Sequence, residues 1–338
     1  MINRREFLEL LLLTSGYTLL GSRLSLASPI QDIEVSEVDL NITYVTEILK
    51  PPKRSNVDIW IPVPQTDQEQ EITGLKVESP LPYRFTTEPV WKNRMVYINT
   101  ERLNPGDRIL MHYRIKRKAT GVIVDRQRDP SRYLEPSEWE KWDEKISAFV
   151  DKLTAGDDNP VEIARKVYNA LIERLRYIHE VCGRGVSTIT FEEKVGRCDE
   201  YHALFRSMMM YRKIPVSWEQ GMALPYPSEL KKEGQFEADC INAHSWVRFY
   251  IGDGRWFPVD VSEADRRPAL KEFYFGRLLP DRIKLSNGRG FTLAPPQRGI
   301  INTFAYTYIE AGGIPAIYGH NYRNRIHYKL IDMRREKQ

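Results

Sequence analysis

The chain of 338 residues has few cysteines and little excess charge of either sign. With three cysteines, it cannot be a small fold held together by several disulfides. Its 50 basic and 46 acidic residues leave a net charge of +4, too little to indicate a nucleic-acid-binding surface. The sequence also lacks a Walker phosphate loop, a dinucleotide fingerprint and internal repeats. It therefore implies neither a nucleic-acid partner nor a cofactor.

Long apolar runs are also missing, apart from a modest one near the start. The run over residues 8–20 is too short to span a bilayer. It follows Arg4 and Arg5, and the small residues around Ala27 come after it, which predicts a twin-arginine signal peptide over residues 1–27. The expected location is periplasmic or extracellular, with no stable membrane insertion after cleavage. An uncleaved N-terminal anchor is the alternative.

The rest of the chain predicts an α+β fold. Residues 33–120 contain three runs of alternating apolar residues separated by turns, which predicts a small antiparallel β-sandwich. Residues 137–265 predict helices followed by a pair of antiparallel strands. The first helix is expected to open at Ser137, with a buried stripe of Trp139, Trp142, Ile146 and Val150, and the next is expected to be capped by Asn159. Residues 266–338 predict a C-terminal β extension. It begins with a linker that ends in a turn at residues 280–283, and its last strands could complete either sheet.

One segment of the second region places a thiol at the start of a buried helix. Leu204 and Met208 follow Cys198 at helical spacing, Gly196 allows a sharp entry turn, and Pro215 cannot continue the helix. Backbone N–H groups and the helix dipole stabilise a thiolate in the first turn. Cys198 is therefore the candidate nucleophile.

A hairpin downstream carries the residues that a thiol nucleophile needs as partners. Residues 242–251 predict a strand, residues 252–254 predict a turn, and residues 255–260 predict the returning strand. Adjacent antiparallel strands can hold His244 beside Asp260, so that the carboxylate fixes the imidazole tautomer. The three residues predict a Cys-His-Asp triad.

These motifs resemble the transglutaminase-like superfamily of papain-like thiol enzymes, with bacterial exported members. The matching motifs are Gly-x-Cys at a helix start, His-x-Trp on a strand and Trp-x-x-x-Asp on the next strand. The resemblance implies a core of helices packed on an antiparallel sheet. It also implies Cys198 as nucleophile, His244 as general base and acid, and Asp260 as the orienting carboxylate, without a metal or cofactor.

The expected function is attack on a peptide or amide bond of a peptide or protein substrate, for example in the cell envelope, with an acyl-thioester intermediate. Hydrolysis is the first expectation, and acyl transfer that cross-links proteins is the second. A catalytically silent envelope-binding module is a third hypothesis. Tyr177 could assist an oxyanion or simply belong to the core, and Trp246 and Trp256 could line the cleft or belong to the core. The sequence leaves the oligomeric state open.

The remaining cysteines and histidines allow two further interpretations. A structural zinc site is the non-enzyme rival, because three Cys/His pairs have plausible ligand spacing: His179 with Cys182, Cys198 with His202, and Cys240 with His244. A disulfide between Cys182 and Cys240 would instead leave Cys198 as the reactive thiol. Closing that loop would stabilise the fold by about 4 kcal/mol. Two unpaired thiols are the alternative.

Overall fold

The computed structural model describes residues 29–52, 56–179 and 182–336. The predicted signal peptide over residues 1–27 lies outside the described residues. The helices are α1 (Pro29–Asp32), α2 (Glu144–Leu153), α3 (Pro160–Arg174), α4 (Ser187–Glu193), α5 (Cys198–Tyr211), α6 (Val261–Arg266) and α7 (Lys271–Tyr274). Two short 3₁₀ helices span Pro130–Tyr133 and Pro268–Leu270.

Seventeen strands accompany the helices in the described part of the chain. In chain order they are β1 (Val35–Ile48), β2 (Val57–Val63), β3 (Gln70–Glu78), β4 (Arg84–Thr87), β5 (Arg94–Thr100), β6 (Arg108–Lys118), β7 (Ile123–Val124), β8 (Arg176–Tyr177), β9 (Val195–Gly196), β10 (Val216–Ala223), β11 (Glu233–Glu237), β12 (Ala243–Tyr250), β13 (Arg255–Val259), β14 (Arg282–Asn287), β15 (Tyr308–Ala311), β16 (Ile314–Pro315) and β17 (Tyr322–Arg335).

The predicted sandwich consists of two five-stranded sheets that share one apolar core. One sheet has the order β11-β17-β1-β6-β3, and the other has the order β16-β15-β2-β5-β4. Leu40 and Ile115 of the first sheet enter the same cluster as Ile59 and Ile98 of the second. Burial alternates along β6, as the alternation of its apolar residues predicts for a strand with one inward face.

The second unit places helices on one face of a third five-stranded sheet, with the order β14-β10-β12-β13-β7. Val247 and Phe249 of β12 belong to the same apolar cluster as Leu204 and Phe205 of α5. Trp246 and Arg248 alternate with these two residues, and both donate to Glu219, Trp246 through its indole N–H at 2.5 Å and Arg248 through Nε at 3.4 Å. The alternation along β12 therefore separates an apolar face under the helices from a buried polar face.

The last strands divide between the two units, a point that the sequence left open. β14 pairs with β10 in the third sheet, whereas β15 pairs with β2 and β17 lies between β1 and β11 in the sandwich. The ranges 33–120, 137–265 and 266–338 remain predictions as domain limits. The sheets do not follow these ranges, because the sandwich combines strands β1–β6 with β11 from the middle range and β15–β17 from the last range.

One predicted helix begins later than expected. The sequence favoured a start near Ser137, but α2 begins at Glu144 because Asp143 caps it by accepting a hydrogen bond from the Ile146 N–H at 2.9 Å. Ile146 and Val150 are buried as predicted, whereas Trp139 and Trp142, expected on the same stripe, precede the helix and are half-buried. Within the described ranges, none of the helices combines the length and the apolar character needed to cross a bilayer.

Candidate active site

The thiol of Cys198 occupies the first position of helix α5, as predicted. The side chain is 5% exposed, and its Sγ lies 3.8 Å from the carbonyl oxygen of Ala243, the residue before His244. The first N–H groups of a helix have no partner within the helix. Cys198 therefore lies where backbone donors and the helix dipole favour negative charge.

A capping carboxylate fixes the entry to this helix. Glu200 accepts the N–H of Arg197 at 2.9 Å with one oxygen and the N–H of Gly185 at 2.7 Å with the other. An ideal Cβ on Gly196 would lie 2.2 Å from the Cβ of Glu200. Glycine at this position therefore lets the chain pass closely over the capping side chain and turn into the helix.

Two links join this helix start to the segment before His244. The guanidinium of Arg197 donates to the carbonyl oxygens of Cys240, at 2.7 Å, and of Ile241. Cys240 also forms a disulfide with Cys182, with Cα atoms 5.6 Å apart. The nucleophile and the histidine strand are thus held together by side-chain hydrogen bonds and a covalent bridge. Cys198 is the free cysteine.

His244 and Asp260 lie side by side, as the hairpin predicted. Nε2 of His244 is 2.7 Å from Oδ2 of Asp260, and both side chains are buried. This contact leaves Nδ1 as the imidazole nitrogen available to the thiol. The other Asp260 oxygen, Oδ1, accepts the N–H of Glu263 at 3.0 Å and so caps helix α6. One carboxylate therefore both starts a helix and orients the imidazole.

A buried arginine that the sequence did not single out completes this arrangement. Arg282 of β14 donates to Oδ2 of Asp260 at 2.8 Å, the same oxygen that contacts His244. Its guanidinium also contacts Oδ1 of Asp281 at 3.1 Å and lies over the ring of Trp246, 4.9 Å from its centroid. Sequence motifs could not find Arg282, because its segment predicted only a linker and a turn.

The charges around His244 stabilise its protonated form. Burial alone would lower the pKa of His244, but Asp260 and the nearby Cys198 outweigh burial and raise it from 6.5 to about 10. Burial would raise the pKa of Asp260, but His244 and Arg282 hold it well below its ordinary value. The arrangement therefore favours an ionised carboxylate next to an imidazolium.

His202, one helical turn after Cys198, lies beside the same carboxylate. Its Nε2 accepts the N–H of Val261 at 3.1 Å and lies 3.6 Å from Oδ1 of Asp260. Burial lowers the pKa of His202 to about 4, despite the attraction of Asp260. His202 is therefore neutral at neutral pH and supports the start of α6.

A cleft of about 720 Å³ opens onto both Cys198 and His244. One wall comes from the second unit, with Trp139 and the segments 182–186 and 240–244. The opposite wall comes from the segment 298–308, where Ile300 is 62% exposed. The volume lies within the usual range of ligand pockets, roughly 300–1,000 Å³. The sequence did not predict that this segment would line the cleft.

The aromatic candidates belong mainly to the core. Trp246 and Trp256 are fully buried. Tyr177 is half-buried, packs its ring against that of Tyr201 with centroids 6.0 Å apart, and is not among the residues that line the cleft. Its pKa is raised by burial and by the neighbouring Cys198, so it lies near the thiol without facing the open cleft.

The zinc interpretation does not fit the geometry. Cys182 and Cys240 form a disulfide, so these two sulfurs are not available as thiolate ligands. Within residues 29–52, 56–179 and 182–336, no three His, Cys, Asp or Glu side chains are arranged to hold a metal ion.

Comparison with known proteins identifies the class of the second unit. The family model of the transglutaminase-like superfamily matches residues 147–261, which contain Cys198, His244 and Asp260. This part of the chain is therefore a transglutaminase-like domain, as the motifs indicated. An uncharacterized protein of Haemophilus influenzae is 23% identical over 315 residues, covering 78% of this chain and 84% of that protein. The uncharacterized protein YebA of Bacillus subtilis is 29% identical over 86 residues, or 25% of this chain and 12% of YebA.

One solved structure shares the fold over most of its length. A candidate cysteine protease from Cytophaga hutchinsonii superposes with a TM-score of 0.55 at 14% identity, covering 88% of this chain and 91% of that one. The periplasmic domain of TgpA from Pseudomonas aeruginosa gives a TM-score of 0.36 at 15% identity, covering 72% and 93% of the two chains. The first superposition includes most of both chains, and the α+β fold prediction is confirmed.

Proposed function

We propose that this protein is an exported thiol enzyme that cleaves a peptide or amide bond through Cys198, His244 and Asp260. The observation that carries the proposal is the 2.7 Å contact between His244 Nε2 and Asp260 Oδ2, beside a buried thiol at a helix start. A thiol, an imidazole and a carboxylate in this order form a nucleophile, a base and an orienting group. All three lie in the transglutaminase-like domain.

In the proposed reaction, the Cys198 thiolate attacks the carbonyl carbon of a substrate held in the cleft. The backbone N–H of Cys198 donates to the oxyanion that forms. The C–N bond then breaks, His244 gives its proton to the departing amine, and an acyl-thioester remains on Cys198. His244 next accepts a proton from water, which attacks the thioester and releases a carboxylic acid. Asp260 holds the imidazole throughout and keeps its own charge.

The cleft suits an extended peptide better than a small polar ligand. Apolar side chains such as Ile300 and Trp139 share its lining with charged side chains such as Arg184 and Arg298. An acyl-donor peptide would lie between the two walls with its carbonyl carbon over Cys198. A protein amine could enter the same open space, so acyl transfer to an amine remains the second candidate.

Export is part of the proposal. The disulfide between Cys182 and Cys240 supports it, because structural disulfides form and persist in oxidising compartments such as the periplasm. The proposed signal is the Arg4-Arg5 segment with its apolar run. A periplasmic or extracellular enzyme would meet peptide or protein substrates of the cell envelope.

The proposed function is tested first by labelling Cys198 with iodoacetamide across pH, in the wild type and in His244→Ala. We expect rapid labelling of the wild type below pH 7, slowed at least ~10-fold in the variant because imidazolium no longer stabilises the thiolate. His327→Ala is the matched control, since His327 is exposed on β17, and it should label like the wild type. Labelling indifferent to His244 would favour the silent binding module instead.

A second measurement separates the two enzymatic outcomes. Peptide amides are incubated with the protein, with and without a fluorescent primary amine, and the products are identified by mass spectrometry. Free carboxylic acid that is absent with Cys198→Ala supports hydrolysis. If the fluorescent amine is joined to the peptide and no free carboxylic acid forms, the enzyme catalyses acyl transfer and the peptidase proposal is wrong.

A further inference from the structure

The carboxylate that orients His244 is shared with a second cation. Oδ2 of Asp260 lies 2.7 Å from Nε2 of His244 and 2.8 Å from a terminal nitrogen of Arg282. Oδ1 is occupied by the hydroxyl of Ser262 at 3.1 Å and the N–H of Glu263 at 3.0 Å. Because Asp260 is fully buried, no solvent screens these interactions. The imidazole and the guanidinium therefore compete for one oxygen.

Arg282 is itself divided between two carboxylates. Its side chain is 1% exposed, and its Nε donates to Oδ1 of Asp281 at 3.1 Å. Asp281 is 6% exposed, and burial raises its pKa. The four groups therefore form a buried row in which positive and negative charges alternate: His244, Asp260, Arg282 and Asp281.

We propose that Arg282 is a positioning residue that limits how strongly Asp260 holds the proton of His244. The guanidinium occupies part of the Oδ2 hydrogen-bonding capacity and repels the imidazolium through the shared oxygen. Asp281 moderates this effect, because it neutralises part of the charge of Arg282. The row thus sets how readily His244 can give its proton to the departing amine. The proposal rests on the proposed function of His244 and concerns the tuning of the same site.

Several other groups face His244, and among the described residues Arg282 is the one arginine or lysine paired with Asp260; Lys231 lines a cavity beside His244 but forms no ion pair with Asp260. On α5, His202 is neutral above its pKa of about 4. In the cleft, Arg197 is bound to the carbonyl oxygens of Cys240 and Ile241, and Asp199 lies beside the thiol. A second cavity, of about 540 Å³, touches the other side of His244. Its lining includes Arg266, which pairs with Glu263 and leaves Arg282 as the cation on Asp260.

The position of Arg282 depends on a glycine in the neighbouring strand. Ala223 of β10 is paired with Arg282, and Gly221 is paired with both His244 and Lys284. A Cβ on Gly221 would lie 1.8 Å from the carbonyl oxygen of Ile283. The absence of a side chain at this point lets β14 approach β10 closely enough for Arg282 to reach Asp260.

The test follows iodoacetamide labelling of Cys198 over pH 5–11 in the full chain. The upper inflection of the profile reports loss of the His244 proton. Arg282→Met should shift this inflection upward by about one pH unit, because Asp260 then interacts with His244 alone. Asp281→Asn should shift it downward, because Arg282 then acts with its full charge. Arg282→Lys should stay near the wild type, because the ammonium keeps the charge beside Oδ2.

A control distinguishes tuning from loss of structure. Arg206→Met removes another buried arginine, which pairs with Glu140 and does not touch the site, and it should lower the melting temperature without moving the inflection. An unmoved inflection in folded Arg282→Met and Asp281→Asn would overturn the proposal. Shifts of the same sign in both variants would also overturn it. A wild-type profile with no dependence on His244 would instead overturn the proposed function.

Discussion

Two histidines whose ring centroids lie 6.3 Å apart have pKa values shifted in opposite directions. For His244 the attraction of Asp260 outweighs burial, and for His202 burial outweighs the same carboxylate. The two pKa values differ because the two rings contact Asp260 differently. Nε2 of His244 is 2.7 Å from Oδ2 of Asp260, whereas Nε2 of His202 is 3.6 Å from Oδ1 and accepts the N–H of Val261. At the scale of single residues, a difference of one hydrogen bond decides which imidazole is charged.

This difference predicts how stability depends on pH. The folded pKa of His202, about 4, lies below its unfolded value of 6.5, so the unfolded state binds the proton more tightly. Stability is therefore lost as pH falls from 6.5 towards 4. His244 has its pKa raised to about 10, so its contribution is constant in this window and declines only as pH rises through 6.5 to 10.

Between pH 7 and pH 4, the free energy of unfolding of His202→Gln should fall by about 3 kcal/mol less than that of the wild type. The glutamine oxygen can still accept the Val261 N–H. The measurement is urea unfolding at several pH values, and the quantity compared is the change with pH rather than the absolute stability. Equal changes in both proteins would contradict the assigned pKa of His202.

At the scale of elements, the site depends on how closely β14 approaches β10. Gly221 lies between His244 on one neighbouring strand and Lys284 on the other. The register between β10 and β14 shifts at Gln220 and Gly221, where the Ile283 carbonyl oxygen occupies the space that a side chain would need. A strand glycine commonly marks such a close approach of another backbone.

Gly221→Ala should therefore destabilise the protein by about 3 kcal/mol, because backbone atoms of β14 must move. It should also slow labelling of Cys198, since Arg282 and Asp260 move with the strand. The matched control is Gly121→Ala, where the nearest atom to an added Cβ is the Gly276 carbonyl oxygen at an ordinary 3.6 Å. Thermal unfolding of both variants measures the difference, and equal stability would contradict the inferred clash.

At the scale of the whole molecule, the two units are built from interleaved parts of the chain. β17, near the end of the chain, pairs along the whole length of β1, near its start, in the sandwich. β14, which precedes β15 to β17 in the chain, instead pairs with β10 in the third sheet. The cleft follows from this arrangement, because one wall combines Trp139 with segments inside the range that the family model matches, and the other comes from residues 298–308 after that range. The shape of the cleft therefore depends on both units of the fold.

The location of the protein is a prediction about the whole molecule. In a bacterial host, Arg4→Lys combined with Arg5→Lys should block export and leave the protein in the cytoplasm, where reducing conditions disfavour disulfides. Cell fractionation locates the protein. Mass spectrometry of alkylated, unreduced peptides should show Cys182 and Cys240 alkylated in the variant and linked in the wild type. Export of the variant equal to that of the wild type would contradict the assigned signal.

The sequence predicted the parts of the site that rest on local patterns. Helical spacing after Cys198, the turn at residues 252–254 and the cap at Asn159 each depend on neighbours within a few residues, and the structure has α5, β12, β13 and α3 there. The start of α2 was missed, because Ser137 and Asp143 both resemble caps and only the folded chain selects Asp143.

The sequence by itself predicted the fold class, three of the sandwich strands (β1, β2 and β6) and the three residues of the proposed triad, because periodicity, turn residues and motif order are local properties. Only the tertiary structure decided the partners of the last strands, the wall at residues 298–308 and the contact of Arg282 with Asp260. These features join residues far apart in the chain. Their geometry is set by strand register and by the packing of buried charges, neither of which is encoded in a local pattern.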